Sequence, residues 1–227
     1  PKYLKRFTED ELNSLSELSY QDLAKKIILP FIGNFMSENE LSNIINKSYL
    51  VFRKDNVVNL VKIGDTNVLE LFHGPTLAFK DIAMQLLGNF YEYYLDKSNK
   101  SINVIVATSG DTGPAAIDAC KGFERIKSFI MLPNGNMSEV QRRQMSTIDA
   151  KNIFALRING TFDDCQDLVK HAFKQRDFLN SDQYLLAVNS INWTRIIGQI
   201  CYYFYAFNRL HSKGDLNFSV PTGNFGN

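Results

Sequence analysis

The sequence predicts an α/β fold with open, twisted, mostly parallel sheets that carry helices on both faces. The main observation is a change of rhythm at residue 102, after which an apolar strand, a short polar loop and a helical pattern follow one another repeatedly. This alternation is typical of a parallel sheet covered by helices on both faces. The length of 227 residues and a hydrophobic content of 44% are enough for a full core and for parts of two domains.

Two helices are predicted to open the chain. Ser19 precedes a helical pattern that we expect to stop at Pro30, and residues 37–40 form a capping box for the second helix. Strands over residues 57–61 and 67–72 are predicted to form a hairpin, which is followed by a predicted helix over residues 76–95.

Four strand–loop–helix units follow. Their strands are predicted at residues 102–107, 128–132, 153–158 and 184–188. Pro114 opens the helix of the first unit, and a last strand over residues 217–220 leads into the final loop. A domain rarely stops at a loop that should open a helix, so we expect the chain to be truncated in its larger domain.

The expected domain organisation has three parts. Residues 1–70 form a helical and hairpin segment, residues 71–185 a smaller α/β domain, and residues 186–227 the start of a larger α/β domain. No internal repeat or low-complexity tract interrupts them.

The charge balance argues against a polyanionic or membrane partner. Lys and Arg number 25 against 24 Asp and Glu, so nucleic acid is not an expected partner. Neither a secretory signal nor an apolar stretch long enough for a bilayer is evident. Cys120, Cys165 and Cys201 are odd in number and lie in apolar surroundings, which favours buried reduced thiols over disulfides or a metal site. We expect a cytoplasmic protein without a metal.

Lys80 is the first candidate for chemistry, because it lies in the first turn of a predicted helix. The helix dipole disfavours a cation there, unless it is neutralised, paired or converted to an imine. The alternative is a solvated lysine paired with Asp81. The position of Lys80 alone does not exclude it. His73 is the one histidine near this candidate site.

Three polar loops each join a strand to a helix or to the end of the chain, at residues 109–113, 189–195 and 223–227. Free backbone N–H groups, hydroxyls and glycines at such a junction can hold a carboxylate or a phosphate. Each loop also has an ordinary structural explanation: a tight capped turn, a capped helix start with Arg195 exposed, and a flexible Gly/Asn turn.

Taken together, four strings in this order resemble the threonine synthase family: LELFHGPTLAFKD at 69–81, SGDTG at 109–113, NSINWTR at 189–195 and GNFGN at 223–227. The resemblance covers nearly the whole chain, and its first string is highly specific. It implies a pyridoxal-phosphate enzyme of fold type II, with the cofactor between two α/β domains. The C-terminal part of the family is absent here, so the chain alone is expected to be inactive.

The resemblance also implies roles for individual residues. Lys80 would be the catalytic lysine that carries pyridoxal phosphate, and Asp111 would lie near the 3′ oxygen of the cofactor. The cofactor phosphate would be bound by Gly223, Asn224, Phe225 and Asn227. The carboxylate and phosphate of the small-molecule substrate O-phospho-L-homoserine would be bound by Ser109, Thr112, Asn192 and Arg195. The implied reaction gives L-threonine and phosphate; the oligomeric state stays open.

Two alternatives remain at this stage. One is a related pyridoxal-phosphate dehydratase or lyase that acts on serine, threonine or cysteine derivatives and needs only one substrate anion site. The polar loop at residues 189–195 favours a second anion site. The other is a noncatalytic phosphometabolite-binding module or a catalytically silent homologue, which would not need Lys80 beside two phosphate loops.

Overall fold

A computed structural model describes residues 6–53, 56–135, 137–188, 192–210 and 215–221. The chain divides into two compact units, one formed by Pro1–Leu86 with Ser190–Asn227 and the other by Leu87–Asn189. Each unit is described separately below.

The first unit opens with three capped helices, α1 (Glu9–Ser14), α2 (Tyr20–Ile32) and α3 (Glu38–Tyr49). The Ser37 side chain accepts a hydrogen bond from the Glu40 N–H, which confirms the predicted capping box. The expected stop at Pro30 is wrong, since α2 continues to Ile32. Pro30 lies in the last turn on the exposed side of the helix, where it removes one helical hydrogen bond, and the helix ends two residues later.

The hairpin is confirmed with shifted strands. Strand β1 (Asn59–Ile63) pairs antiparallel with β2 (Thr66–Glu70), and Ile63 lies opposite Thr66 across the turn. Val57 and Val58 precede the strand and are fully buried. Their apolar character therefore reflects core packing rather than strand pairing, which is why the sequence placed the first strand two residues early.

Two long helices follow. Helix α4 (Lys80–Ser98) starts four residues later than expected and continues past Leu86, where the first unit ends, into the second unit. Helix α8 (Trp193–Leu210) packs closely against the first turns of α4. A Cβ built on Gly198 would lie 3.2 Å from the Ala83 Cα, so a glycine here permits close approach of the two backbones. The predicted strand at residues 217–220 is wrong, because no hydrogen-bonded neighbour is found for it within the described residues.

The second unit contains a four-stranded sheet in the order β5–β4–β3–β6, and all of its neighbouring strands pair in parallel. Its strands are β3 (Ser101–Ala107), β4 (Ile126–Pro133), β5 (Ile153–Ile158) and β6 (Gln183–Ala187). Its helices between strands are α5 (Thr112–Cys120), α6 (Glu139–Ser146) and α7 (Phe162–Lys174). The predicted parallel α/β architecture is thereby confirmed.

Helices cover both faces of this sheet. Ile105 and Met131 point to one face, where they form a core cluster with Cys165 of α7. Ile130 points to the other face, where its side chain contacts the position that a Cβ on Gly113 of α5 would take. Because successive strand residues face opposite sides, the two helices lie on opposite faces as expected.

All three cysteines are free and buried. Burial raises the pKa of the Cys120 and Cys201 thiols to about 12, so both stay protonated at neutral pH. Among the described residues, none of the helices combines the length and apolar character that a membrane crossing requires.

Candidate functional site

Lys80 is the first residue of helix α4 and is half-buried. Its Nζ lies 4.4 Å from the centroid of the Phe79 ring, within the range of a cation–π contact. An ammonium at this end of a helix is opposed by the helix dipole, whereas a neutral nitrogen is not. Lys80 therefore lies at a helix start, as the sequence indicates, and its role as the cofactor lysine stays a prediction.

The carboxylate of Asp81 has a structural role in the loop before α4. Asp81 is fully buried, and its Oδ2 accepts a hydrogen bond from the Thr76 N–H at 2.8 Å. Its Oδ1 is 2.6 Å from the Thr76 hydroxyl, which donates the second bond. A solvated surface pair of Lys80 with Asp81, the alternative left open above, requires an exposed carboxylate and does not fit this burial.

The backbone of the same loop is tightly constrained. A Cβ built on Gly74 would lie 2.4 Å from the Asp81 Cβ, so only glycine fits against that side chain. Leu77 adopts a positive φ of 63°, which is uncommon for a non-glycine residue. Backbone strain of this kind is concentrated at functional sites.

His73 fastens the loop to the hairpin. The ring is buried, and its Nε2 lies 3.0 Å from Glu70 Oε2 at the end of β2. The same carboxylate oxygen accepts a hydrogen bond from the Asn59 side-chain amide at 3.1 Å. His73 therefore stabilises the loop before α4 by connecting it to the end of β2.

The loop after β3 is organised by Thr108, a residue that the sequence did not single out. Its buried hydroxyl oxygen accepts hydrogen bonds from the Gly110 and Gly113 N–H groups at 3.2 and 3.1 Å. These two backbone donors are thus engaged within the loop. Ser109 is exposed and Thr112 is half-buried at the start of α5, so their hydroxyls remain the candidates for binding an anion.

Asp111 and Gly113 are held by helix α6. Asp111 Oδ1 accepts a hydrogen bond of 2.5 Å from the Gln141 side-chain amide. A Cβ on Gly113 would lie 2.3 Å from Met145 Sδ and 2.6 Å from Thr108 Cγ2. Gly113 is therefore required for packing between α5, α6 and the strand end.

The start of α8 combines a cap with a buried cation. Asn192 Oδ1 accepts hydrogen bonds from the Thr194 and Arg195 N–H groups at 3.0 and 3.4 Å, as an N-cap residue does. Arg195 is only 2% exposed, so the alternative explanation of this loop, a capped helix start with Arg195 exposed, is wrong about the arginine although the cap is present. Burial lowers the pKa of its guanidinium, and the charge of Tyr202 partly opposes this shift.

The Nε atom of Arg195 is buried without a hydrogen-bond partner among the described residues. A buried polar group without a partner is rare and calls for an explanation, such as a bound ion. Sequence reasoning found this arginine but could not find its burial, which depends on the packing of α8 within the first unit.

Part of the predicted site lies outside the described residues: Gly223, Asn224, Phe225 and Asn227, together with residues 189–191. The chain before the predicted phosphate-binding loop is described up to Pro221. Val220 and Pro221 line a cavity of about 710 Å³ in the first unit. Phe79, the residue before Lys80, lines the same cavity.

Comparisons with known proteins define the class. The family model described as pyridoxal-phosphate dependent enzyme matches residues 68–227, so this chain belongs to that family. A second model, described as threonine synthase N terminus, matches residues 1–49.

Within this class the chain is similar to threonine synthases. It is 47% identical over its whole length to threonine synthase of Pseudomonas aeruginosa, and 45% identical over 94% of its length to that of Saccharomyces cerevisiae. The crystal structure of pyridoxal-phosphate-bound threonine synthase from Brucella melitensis covers the whole chain at 43% identity, with a TM-score of 0.90. The chain spans about half the length of these relatives, at 48%, 45% and 49%.

Proposed function

We propose that the complete protein is a threonine synthase, which converts O-phospho-L-homoserine and water to L-threonine and phosphate in the last step of threonine biosynthesis. The observation that carries this proposal is the similarity of the whole chain to a pyridoxal-phosphate-bound threonine synthase. The four sequence strings around Lys80, Asp111, Arg195 and Gly223 support it. Because the chain spans half of its relatives, the activity is assigned to the complete protein and not to these residues alone.

The residues around Lys80 fit pyridoxal phosphate. The amine lies at a helix start that favours a neutral nitrogen, and the preceding residue, Phe79, lines a cavity that Val220 and Pro221 also line. When bound, the cofactor supplies an electron sink that acidifies the substrate carbons. We assign Lys80 to hold the cofactor and to move the proton at the substrate Cα.

The substrate needs two anion sites, one for its carboxylate and one for its phosphate. Arg195 supplies a buried guanidinium whose Nε has no partner within the described chain, and Arg is suited to bind phosphate. We assign Asn192 to the substrate as well, since it caps α8 directly beside Arg195. Ser109 and Thr112 contribute hydroxyls, and Asp111 is assigned to the vicinity of the cofactor 3′ oxygen.

The complete protein should be incubated with O-phospho-L-homoserine while threonine and phosphate are followed together. Equal formation of both is expected. Formation of 2-oxobutyrate alone would indicate the dehydratase or lyase alternative. Absence of turnover with bound cofactor would indicate a silent homologue.

The assignment of Arg195 has its own test. Arg195→Ala should raise the KM for phosphohomoserine about tenfold or more, because a charge-assisted hydrogen bond contributes about 1.5–3 kcal/mol. Arg143→Ala is the control, since Arg143 is exposed and pairs with Glu139 on α6. An unchanged KM in Arg195→Ala, with cofactor binding intact, would contradict the assignment.

We further propose a cytoplasmic location and no nucleic-acid partner. The three free buried thiols support the cytoplasmic location. The nearly equal numbers of acidic and basic residues support the absence of a nucleic-acid partner.

A further inference from the structure

We propose that Asp81 is a positioning residue for Lys80. In this proposal the buried carboxylate fixes the loop from Gly74 to Leu77 and thereby sets where the lysine amine is presented. The proposal rests on the proposed function, because it takes Lys80 as the residue that holds pyridoxal phosphate.

Two hydrogen bonds join Thr76 to Asp81. The two oxygens of Asp81 each accept one hydrogen bond, from the Thr76 N–H at 2.8 Å and from the Thr76 hydroxyl at 2.6 Å. Hydrogen bonds to an ionised group are stronger than neutral ones, and burial strengthens them further. Thr76 is therefore tied to the first turn of α4 by two strong bonds.

The side chains of Lys80 and Asp81 point in different directions. Lys80 and Asp81 are neighbours in a helix, and successive helical residues point about 100° apart. Asp81 is fully buried, whereas Lys80 is half-buried. The carboxylate thus points into the protein, where it accepts hydrogen bonds from Thr76 of the loop.

Leu77 lies between Thr76 and Asp81 and has a strained backbone conformation. Leu77 has a φ of 63°, and its N–H donates to the Gly74 carbonyl at 3.3 Å. A non-glycine residue keeps such a conformation only where its surroundings impose it. Thr76 on one side and Asp81 on the other supply that constraint.

Gly74 also lies in close contact with Asp81. Its backbone lies so close to Asp81 that an added Cβ would be 2.4 Å from the Asp81 Cβ and 2.5 Å from Oδ2. The chain therefore approaches this carboxylate from two directions, at Gly74 and at Thr76. Since burial of an unpaired charge is costly, the two bonds from Thr76 stabilise the buried carboxylate at this point, and they bind it to the loop.

The test uses the complete protein with pyridoxal phosphate. Thr76→Val removes the donated hydroxyl bond at nearly constant volume, while Thr76→Ser retains the hydroxyl. Asp81→Asn keeps the shape of the side chain and removes its charge. The control is Ser48→Ala, because the buried Ser48 hydroxyl contacts the Gln85 carbonyl of α4 at 3.2 Å, one turn beyond Asp81.

Three quantities should be measured for each variant: the Kd for pyridoxal phosphate, the pH midpoint of the bound-cofactor absorbance, and the melting temperature without cofactor. We expect Thr76→Val to raise the Kd about tenfold and to shift the pH midpoint, since one strong hydrogen bond is lost. Thr76→Ser should stay within about twofold of the parent. Ser48→Ala should lower the melting temperature without either change in cofactor binding.

The proposal is overturned if Thr76→Val lowers only the melting temperature, as Ser48→Ala does. If Asp81→Asn does not fold, the comparison of Thr76→Val with Thr76→Ser still decides. Borohydride reduction of the parent protein separates this proposal from the proposed function. Labelling at Lys80 with unaffected Thr76→Val binding rejects only the positioning role, whereas labelling at another lysine rejects both.

Discussion

The two loops that lead into α4 and α5 solve a similar structural problem in different ways. In the loop before α4, a buried carboxylate in the helix, Asp81, reaches back to Thr76. In the loop before α5, a neutral hydroxyl at the strand end, Thr108, reaches forward to Gly110 and Gly113. The first loop is held by an ionisable group, and the second by an uncharged one.

The two loops also differ in the side chains that they offer to a ligand. The first ends in one side chain, Lys80, which we assign to the cofactor, and it includes a strained Leu77. The second offers hydroxyls from Ser109 and Thr112, and its glycine at position 113 serves packing. We infer that the first loop is built around a single functional side chain and the second around a turn.

The largest expected effect concerns Lys80. Lys80→Ala should abolish covalent attachment of pyridoxal phosphate in the complete protein, because no other amine would occupy this helix start. Lys97→Ala is the control, since Lys97 lies in the last turn of the same helix, over the Tyr93 ring. Borohydride reduction and peptide mapping measure the attachment. Retained label in Lys80→Ala would show that the first loop does not present the cofactor lysine.

The next effect concerns the packing of the second loop. Gly113→Ala should destabilise the protein by about 3 kcal/mol, because the new methyl group would overlap Met145 and Thr108. Gly110→Ala should change stability by about 0.5 kcal/mol at most, since its Cβ would lie 3.5 Å from Gln141 Nε2. Urea unfolding of both variants gives the comparison. Equal stabilities would contradict the packing role of Gly113.

A smaller effect is expected at Thr108. Thr108→Val leaves two loop N–H groups without their acceptor, and we expect a loss of about 2 kcal/mol in the free energy of unfolding. Thr108→Ser keeps the hydroxyl and should lose less. Cofactor affinity should follow stability only weakly here, in contrast to Thr76→Val in the first loop. A Thr108→Val variant as stable as Thr108→Ser would show that the hydroxyl does not hold the turn.

The sequence predicted the second unit better than the first. Apolar strands such as 102–107 and 153–158 alternate with helices, and both strands are found within one residue of the expected bounds. In the first unit, Val57 and Val58 have strand-like character because the core buries them. Residues 217–220 also have a strand pattern, but strand formation depends on a partner that the local sequence does not specify.

The candidate site was predictable as a set of loops, but its internal supports were not. Lys80 and Arg195 follow from sequence strings, whereas the two bonds from Thr76 to Asp81 and the contact of Gln141 with Asp111 depend on folding. The Thr108 bonds span only two and five residues, so a threonine at a strand end before two glycines was a usable signal. Burial of Arg195 has no such local signal, because α8 packing produces it.

The smallest effect tests the strain that distinguishes the first loop. Among the described non-glycine residues, positive φ values occur at Leu77 and at Asn99, so residues 108–113 show none. The left-handed conformation costs an ordinary L-residue about 1–2 kcal/mol, and Asn tolerates it better. Leu77 is 52% exposed, so its replacement removes little buried apolar surface. Leu77→Asn should therefore raise the free energy of unfolding by about 0.5–1 kcal/mol, measured by urea unfolding.

The reciprocal variant, Asn99→Leu, places a leucine at a φ of 51°. It should lower stability by about 1 kcal/mol or more, since it also removes the acceptor for the Arg125 guanidinium at 3.1 Å. Opposite signs are expected, and the gain in Leu77→Asn would locate the cost in the backbone conformation, because the loss in Asn99→Leu also includes the Arg125 hydrogen bond. A loss of stability in Leu77→Asn would instead mean that the leucine side chain stabilises the first loop by more than its conformation costs. The contrast between the two loops would then lie in packing rather than in strain.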